Sequence, residues 1–268
     1  MASSPTPAGD PLDALPRPWR PGMSLRRESD GRALGRFYGA ELSSVFQPIV
    51  DAAGGRRIGF EAFIRCHARG EASLSPWSLF SLVADDDTLV ALDRLCRTLH
   101  VLNDPRPGRD ELLFLNVHGR LLAAVDEDHG RAFRGVLDVL GMSPGCIVIE
   151  TPEAASREPG MLSAVLANYR LHGFRVAANA ASSTDAEALL AHLRPDYLKL
   201  DARHVCDPAA RRQLHHLAGE QGVRLVFTRV SDTQSLTSLQ SLPAVLIQGH
   251  ALGPPQPLWQ NGCATTAA

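Results

Sequence analysis

Short apolar segments alternate with helical patterns through most of this 268-residue chain. Six of the segments, each rich in leucine or β-branched residues, are predicted to be strands, at 112–117, 146–150, 174–178, 197–200, 223–227 and 245–248. Helices are predicted before and between them, at 76–84, 88–102, 129–140, 158–171, 185–193, 207–220 and 232–240. Strands that are apolar on both faces are typical of parallel sheets covered by helices.

The pattern begins with a hairpin. Segments 45–50 and 57–65 are both predicted strands, and Ala52-Ala-Gly-Gly55 between them is a turn. The total of about eight strands favours an α/β fold, namely a single TIM-like (β/α)8 barrel with an irregular antiparallel first strand. A doubly wound open sheet is the main alternative. The missing glycine-rich phosphate loop disfavours the nucleotide-binding versions of that sheet.

Composition sets the predicted domain boundaries. Residues 1–28 contain six prolines and few apolar anchors, so they are predicted to form a disordered leader. The barrel domain is predicted over 29–256. Within it, a weak helical pattern at 30–42 precedes the first strand. Residues 257–268 are predicted to be a flexible C-terminal tail.

Net charge, cysteine spacing and the length of the apolar segments give no support to several classes of function. A formal net charge of −2 gives no electrostatic reason to expect a nucleic acid or an anionic membrane as partner. The five cysteines are scattered singly, so no zinc site or disulfide framework is indicated. The chain has neither a transmembrane-length apolar run nor a signal-peptide hydrophobic region, and a cytoplasmic protein is therefore predicted.

Lys199 is the only lysine of the chain, and it lies in the apolar strand predicted at 197–200. Its stem could pack against the core while the ammonium reaches solvent or a carboxylate. Alternatively, it is a cation directed into a site at the carboxyl end of a barrel strand, where barrel enzymes have their active sites.

Other polar residues also lie at predicted strand ends. Glu61, Asn116 and Glu150 form an oxygen-only ligand set suited to Mg²⁺ or Mn²⁺, with Lys199 near them. Each residue alone has a structural explanation as a helix cap or a turn residue. Their convergence at one barrel mouth indicates a ligand site, because burying them together costs free energy unless they pair or bind something.

Several short motifs, in this order and spacing, resemble those of the EAL-domain cyclic di-GMP phosphodiesterases. Phe46-Gln-Pro-Ile-Val50 and Gly59-Phe-Glu-Ala-Phe-Ile-Arg65 resemble the opening Q-P-I-V and G-Y-E-A-L-x-R. The later matches are Leu115-Asn-Val117, Ile149-Glu-Thr-Pro-Glu153, Leu198-Lys-Leu-Asp201 and Gln248-Gly-His250. The resemblance covers about residues 34–256, and it implies a barrel, a cyclic di-GMP ligand and a metal-binding role for Glu61, Asn116 and Glu150.

Two motifs depart from the family pattern. Where the family has paired aspartates the chain has Asn179 and Ala180, and where the family has A-E-G-V-E the chain has Phe227-Thr-Arg-Val-Ser231. Four carboxylates are therefore lost, at Asn179, Ala180, Thr228 and Ser231. Two divalent ions about 3.5–4 Å apart persist only among anionic ligands. We therefore expect at most one weakly held Mg²⁺, negligible hydrolysis, and a relic role for Lys199 and Glu61, with the lysine paired to a carboxylate.

Three functions remain open. The first is a protein-binding regulator or scaffold in cyclic di-GMP signalling, with an unknown protein partner. The second is a metal-independent cyclic di-GMP receptor that uses retained polar residues, namely Gln47, Arg65, Lys199, Asp201 and Gln248. Arg65 is its best phosphate contact unless it pairs internally with a glutamate. The third is an active phosphodiesterase with unorthodox ligands drawn from Glu153, Asp185, Asp201, His118, His204 and His250.

Overall fold

The strands of the protein form one sheet, and eight of them close into a barrel. The computed structural model describes residues 11–16, 20–68, 75–106, 111–123, 128–153, 158–205 and 207–258. Within these ranges the strands are β1 Met23–Arg27, β2 Ala33–Phe37, β3 Ala40–Asp51, β4 Arg57–Ala68, β5 Leu112–Asn116, β6 Ile147–Thr151, β7 Arg175–Ala180, β8 Tyr197–Asp201, β9 Arg224–Thr228 and β10 Leu246–Ile247.

The barrel consists of β3 to β10. Neighbouring strands from β4 to β10 pair in parallel, whereas β3 is antiparallel to both β4 and β10 and closes the ring. Strands β4 and β5 approach closely at Gly59, where a Cβ atom would lie 2.1 Å from the Leu112 carbonyl oxygen. The predicted single barrel with an antiparallel first strand is confirmed.

Helices cover the outside of the barrel. They are α1 Pro11–Ala14, α2 Pro76–Ser81, α3 Asp86–Leu102, α4 Gly119–Ala123, α5 His129–Val139, α6 Pro159–Leu171, α7 Ser183–His192, α8 Pro208–Glu220 and α9 Thr233–Gln240. The seven helices predicted between residues 76 and 240 are present, and the short α1 and α4 were not predicted. None of the helices in the described ranges combines the length and apolar character needed to cross a membrane.

The N-terminal part of the described chain differs from the prediction. Within the predicted disordered leader 1–28, residues Met23–Arg27 form β1, and Leu15 and Met23 are buried. The predicted helical pattern at 30–42 is also wrong, because Ala33–Phe37 form β2, which joins β3 through a turn at Tyr38 and Gly39. Residues 1–10 and 17–19 of the predicted leader, and 259–268 of the predicted tail, lie outside the described residues.

Two apolar layers lie on opposite faces of the barrel strands. Because side chains alternate along a strand, Leu112, Phe114 and Asn116 share one face. That face carries the compact inner cluster of the barrel, composed of Ile49, Ile58, Leu112, Phe114, Val148, Ala177, Tyr197, Val226 and Leu246. The other face packs against the helices. The inner face is thus apolar along most of the barrel and becomes polar at the carboxyl ends of the strands.

Candidate functional site

A cleft of about 510 Å³ opens at the carboxyl ends of the barrel strands. Its lining comes from β3, β4, β6 to β10 and the loops that follow them: Gln47, Glu61, Phe63, Glu150, Asn179, Lys199, Arg203, Thr228, Arg229, Ser231, Gln248, Gly249 and His250. Strand register explains why distant residues meet here. Asn116 lies opposite Glu150 and Asn179 lies opposite Lys199 across parallel strand pairs, while Gln47 lies opposite Glu61 across the antiparallel pair.

The floor of the cleft is an ion triad centred on Lys199. Its ammonium Nζ lies 2.6 Å from Oε2 of Glu61 and 2.6 Å from Oε2 of Glu150. Lys199 is 1% exposed, and both glutamates are buried. The ammonium also lies 5.5 Å from the ring centroid of Phe114 beneath it. The single lysine of the chain is therefore a buried cation held between two carboxylates.

Every carboxylate oxygen of the triad accepts a hydrogen bond. Asn116 Nδ2 donates to Glu61 Oε1 at 2.7 Å, and Asn179 Nδ2 donates to Glu150 Oε1 at 2.8 Å. Gln248 Nε2 donates to Glu61 Oε2 at 2.9 Å. These amides supply the hydrogen bonds that buried carboxylates need to remain charged.

The triad contains one more negative charge than positive charge when both glutamates are ionised. Burial, together with the nearby Glu61 carboxylate, raises the pKa of Glu150 to about 7. Burial acts to lower the pKa of Lys199, but the two carboxylates together outweigh it and raise this pKa. The lysine therefore stays charged at neutral pH, while Glu150 can take up a proton and bring the triad to neutrality.

The donor set does not fit a pair of divalent ions. Among the described residues no group of three histidine, cysteine, aspartate or glutamate side chains is arranged to hold a metal ion. Asn179 directs its amide nitrogen at Glu150 and donates it also to the Thr151 carbonyl oxygen, and Ala180 has no ligand atom. Two glutamates already neutralised in part by an ammonium cannot balance four positive charges.

Two arginines, Arg203 and Arg229, form one wall of the cleft at the ends of β8 and β9, and Asp201 pairs with both of them. Asp201 accepts from Arg203 Nε at 3.0 Å and from Arg203 Nη2 at 2.6 Å, and its carboxylate lies 3.5 Å from Arg229 Nη1. The hydrogen bonds from Arg203 hold the pKa of Asp201 below its ordinary value. Both arginine side chains are more than half exposed. Two cations thus share one carboxylate, so these three side chains together carry a net positive charge.

The structure brings most of the predicted site residues together. Gln47, Glu61, Glu150, Lys199 and Gln248 line the cleft. The predicted ligands Asn116 and Asp201 bond to residues of the lining, namely Glu61 and Arg203. Arg65 does not line the cleft. Among the described residues its side chain donates only to the carbonyl oxygen of its neighbour Ile64, so the internal ion pair considered for it with Glu61 or Glu150 does not form.

Most alternative metal ligands considered from the sequence have other contacts. His118 stacks on Phe80 with ring centroids 4.9 Å apart, and Asp185 accepts from Ser182 Oγ at the start of α7. His204 Nδ1 lies 3.1 Å from the Ala181 carbonyl oxygen, and Asp201 accepts from Arg203. His250 does line the cleft. Four of the six candidates, His118, Asp185, His204 and Asp201, thus contact other described residues of the chain.

Arg203 and Arg229 were missed by the sequence analysis. Arg203 lies two residues beyond the L-K-L-D motif, in a loop that the strand pattern leaves undefined. Arg229 stands within Phe227-Thr-Arg-Val-Ser231, at the place of the glycine in A-E-G-V-E. A charged residue at the place of a motif glycine was a signal that could have identified it.

Fold and cleft together define the class: a (β/α)8 barrel with its polar site at the carboxyl ends of the strands. The family model of the EAL domain matches residues 32–255, and the chain therefore belongs to the EAL-domain family. The family predicted from the motifs is confirmed. A search of the curated proteins found no match.

Solved EAL-domain structures have the same fold. The EAL domain of Xanthomonas citri FimX, in complex with cyclic di-GMP, is 22% identical with a TM-score of 0.70, over 82% of this chain and 91% of that one. Bacillus subtilis YkuI, in complex with substrate cyclic di-GMP and calcium, is 21% identical with a TM-score of 0.69, over 82% of this chain and 56% of that one. The PaMucR phosphodiesterase, in complex with cyclic di-GMP, is 21% identical with a TM-score of 0.64, over 81% of this chain and 92% of that one.

Proposed function

We propose that this chain is a non-hydrolysing EAL domain that binds cyclic di-GMP in its barrel mouth without metal ions. The observation that carries the proposal is the position of the Lys199 ammonium, 2.6 Å from a carboxylate oxygen of both Glu61 and Glu150. It supplies from within the chain the positive charge that divalent ions supply in a metal centre. The carboxylates are thereby stabilised without a metal.

Hydrolysis of a phosphodiester needs an activated water. A divalent ion generates such a nucleophile by lowering the pKa of the water that it binds. Of the predicted ligands, the two anionic ones, Glu61 and Glu150, are each bound to Lys199, and the amide nitrogen of Asn116 donates to Glu61. A single Mg²⁺ could bind only by competing with the buried ammonium for both glutamates, so it binds weakly at most. The chain therefore lacks the means to activate water, and we expect no turnover.

Binding of a dinucleotide needs a cleft of sufficient volume and groups that pair with its phosphates, but no activated water, and the cleft has both. Its volume of about 510 Å³ lies within the range of ordinary ligand pockets. Arg203 and Arg229 give its wall a net positive charge, and guanidinium groups bind phosphate oxygens without a metal. FimX, YkuI and PaMucR were all solved in complex with cyclic di-GMP, which makes this dinucleotide the ligand to test.

The predicted role as a protein-binding regulator is compatible with this proposal. A receptor that does not convert its ligand can report binding only through a change that a partner recognises. Within the described part of the chain no surface identifies that partner. The protein-binding role is thus the proposed output of the receptor, and ligand binding is the proposed input.

Calorimetric titration with cyclic di-GMP tests the proposal. The purified protein is titrated once in millimolar Mg²⁺ and once in chelator, with GMP as the control ligand. We expect binding with the same affinity in both buffers and intact cyclic dinucleotide after the titration. Binding that requires Mg²⁺, or no binding in either buffer, would overturn the proposal of a metal-independent receptor.

A further inference from the structure

Arg229 has an unusual backbone conformation for an arginine. It follows β9 directly, and its φ angle is 58°, in the left-handed region that favours glycine. Its side chain lies in the wall of the cleft and is 68% exposed. Residues in such conformations persist only where the surrounding structure holds them, and they cluster at ligand sites.

The surrounding backbone holds Arg229 in place from both sides. On one side, Ala202 N donates to the Thr228 carbonyl oxygen at 3.0 Å. On the other side, Val230 N donates to the Gln248 carbonyl oxygen at 3.0 Å, and Ala251 N donates to the Val230 carbonyl oxygen at 3.0 Å. The loops after β8, β9 and β10 are therefore bonded to one another around this residue, and they direct its side chain into the cleft.

The guanidinium of Arg229 is electrostatically available. Among the described residues it makes no hydrogen bond, and its one charged contact is Asp201, at 3.5 Å. Asp201 is already bonded through both carboxylate oxygens to Arg203. Along the chain, Thr228 and Val230 flank Arg229 and Ser231 follows, and none of the three carries a charge. The nearby Asp232 carboxylate instead accepts from Ser235 N at the start of α9.

We infer that Arg229, with Arg203 beside it and Asp201 positioning both, is the phosphodiester-binding subsite of the cleft. This inference rests on the proposed function and deepens it, because it names the group that takes over the phosphate charge. Guanidinium groups pair bidentately with phosphate oxygens, and two arginines sharing one aspartate present a net positive charge to the ligand. Arg229 is the direct contact and Asp201 is a positioning residue.

The decisive variant is Arg229→Gly, because glycine adopts a φ angle of 58° without strain. Loss of binding in this variant cannot be attributed to a distorted loop. Cyclic di-GMP is titrated in chelator into the wild type, Arg229→Gly, Arg229→Lys and the control Arg212→Ala, which removes an exposed arginine on α8 outside the cleft. Urea unfolding of each variant verifies that it is folded.

We expect Arg229→Gly to weaken binding about 10- to 100-fold, as loss of a charged hydrogen bond does. Arg229→Lys is expected to lie between Arg229→Gly and the wild type, and Arg212→Ala to match the wild type. If the wild type binds and Arg229→Gly binds within twofold of it, this inference is overturned while the proposed function stands. If the wild type itself does not bind, the proposed function fails and this inference fails with it.

Discussion

Replacement of Lys199 by methionine separates charge balance from packing at the floor of the cleft. Methionine keeps an unbranched side chain of similar length but removes the ammonium that contacts Glu61 and Glu150 at 2.6 Å. Breaking a buried ion pair by removing one partner costs about 3–5 kcal/mol. Comparing the loss of unfolding free energy at two pH values shows whether it comes from the missing charge or from packing.

The size of the loss follows from the protonation of the remaining carboxyls. A glutamate ordinarily titrates near pH 4.3, so keeping one buried carboxyl neutral costs roughly 5 kcal/mol at pH 8 and roughly 1 kcal/mol at pH 5. Lys199→Met should therefore lower the free energy of unfolding by about 3–5 kcal/mol at pH 8 and by about 1–2 kcal/mol at pH 5. Urea unfolding followed by the circular dichroism of the helices measures both values.

A neutral triad provides the control for this experiment. The triple variant Lys199→Met, Glu61→Gln, Glu150→Gln removes all three charges with little change in volume, and it should recover more than half of the stability lost at pH 8. An equal loss at both pH values for Lys199→Met would contradict the account, because a pure packing defect does not depend on pH.

Three further predictions concern the pH dependence and the loops of the cleft. The pKa of Glu150 is raised from 4.5 to about 7, so the folded state binds this proton more tightly than the unfolded chain, and the resulting stability is lost as the pH rises from about 4.5 to 7. Glu150→Gln should therefore reduce the loss of unfolding free energy over this pH interval by roughly 3 kcal/mol, measured by urea unfolding of the variant and the wild type. Burial lowers the pKa of His100 from 6.5 to about 3, so the stability that comes from burying the neutral imidazole is lost as the pH falls through that interval. His100→Gln should reduce the difference in unfolding free energy between pH 7 and pH 4 by roughly 3 kcal/mol. An unchanged difference would refute the lowered pKa of His100. Gly249→Ala would place a Cβ atom 2.1 Å from the Val230 carbonyl oxygen, so we expect a loss of about 1–3 kcal/mol in unfolding free energy, whereas the wild-type value would show that the two loops are not held together.

The barrel and its floor could be predicted from the sequence because both follow from local patterns. Apolar runs alternating with helices specify a parallel barrel, and in such a barrel the residues at the strand ends must converge. Alternation along β8 places Tyr197, Lys199 and Asp201 on one face. Closure of the barrel brings the lysine to Glu150 on β6 and Glu61 on β4. The partner of Lys199 was therefore predictable, although the sequence did not show that it pairs with both carboxylates at once.

The rest depends on tertiary contacts that no local pattern reveals. Strand β1 was missed because the prolines of segment 1–28 suggested disorder, and β2 was missed because residues 30–42 have a weak helical pattern; the pairing of β2 with β3 decides its conformation. Arg65 was expected at the ligand, but β4 continues through Ala68, so this side chain lies four residues beyond Glu61 and outside the cleft lining. The position of Arg229 follows from bonds among three loops, which only the folded chain brings together.

The most direct test of the central claim is a hydrolysis assay with cyclic di-GMP in the presence of Mg²⁺ and, separately, Mn²⁺. The purified protein is incubated with the dinucleotide, and the linear product is separated by chromatography and quantified. Because Lys199 occupies both glutamates and the aspartate positions hold Asn179 and Ala180, we predict no product above the protein-free control. Metal-dependent conversion to the linear dinucleotide that Glu61→Ala abolishes would contradict the account.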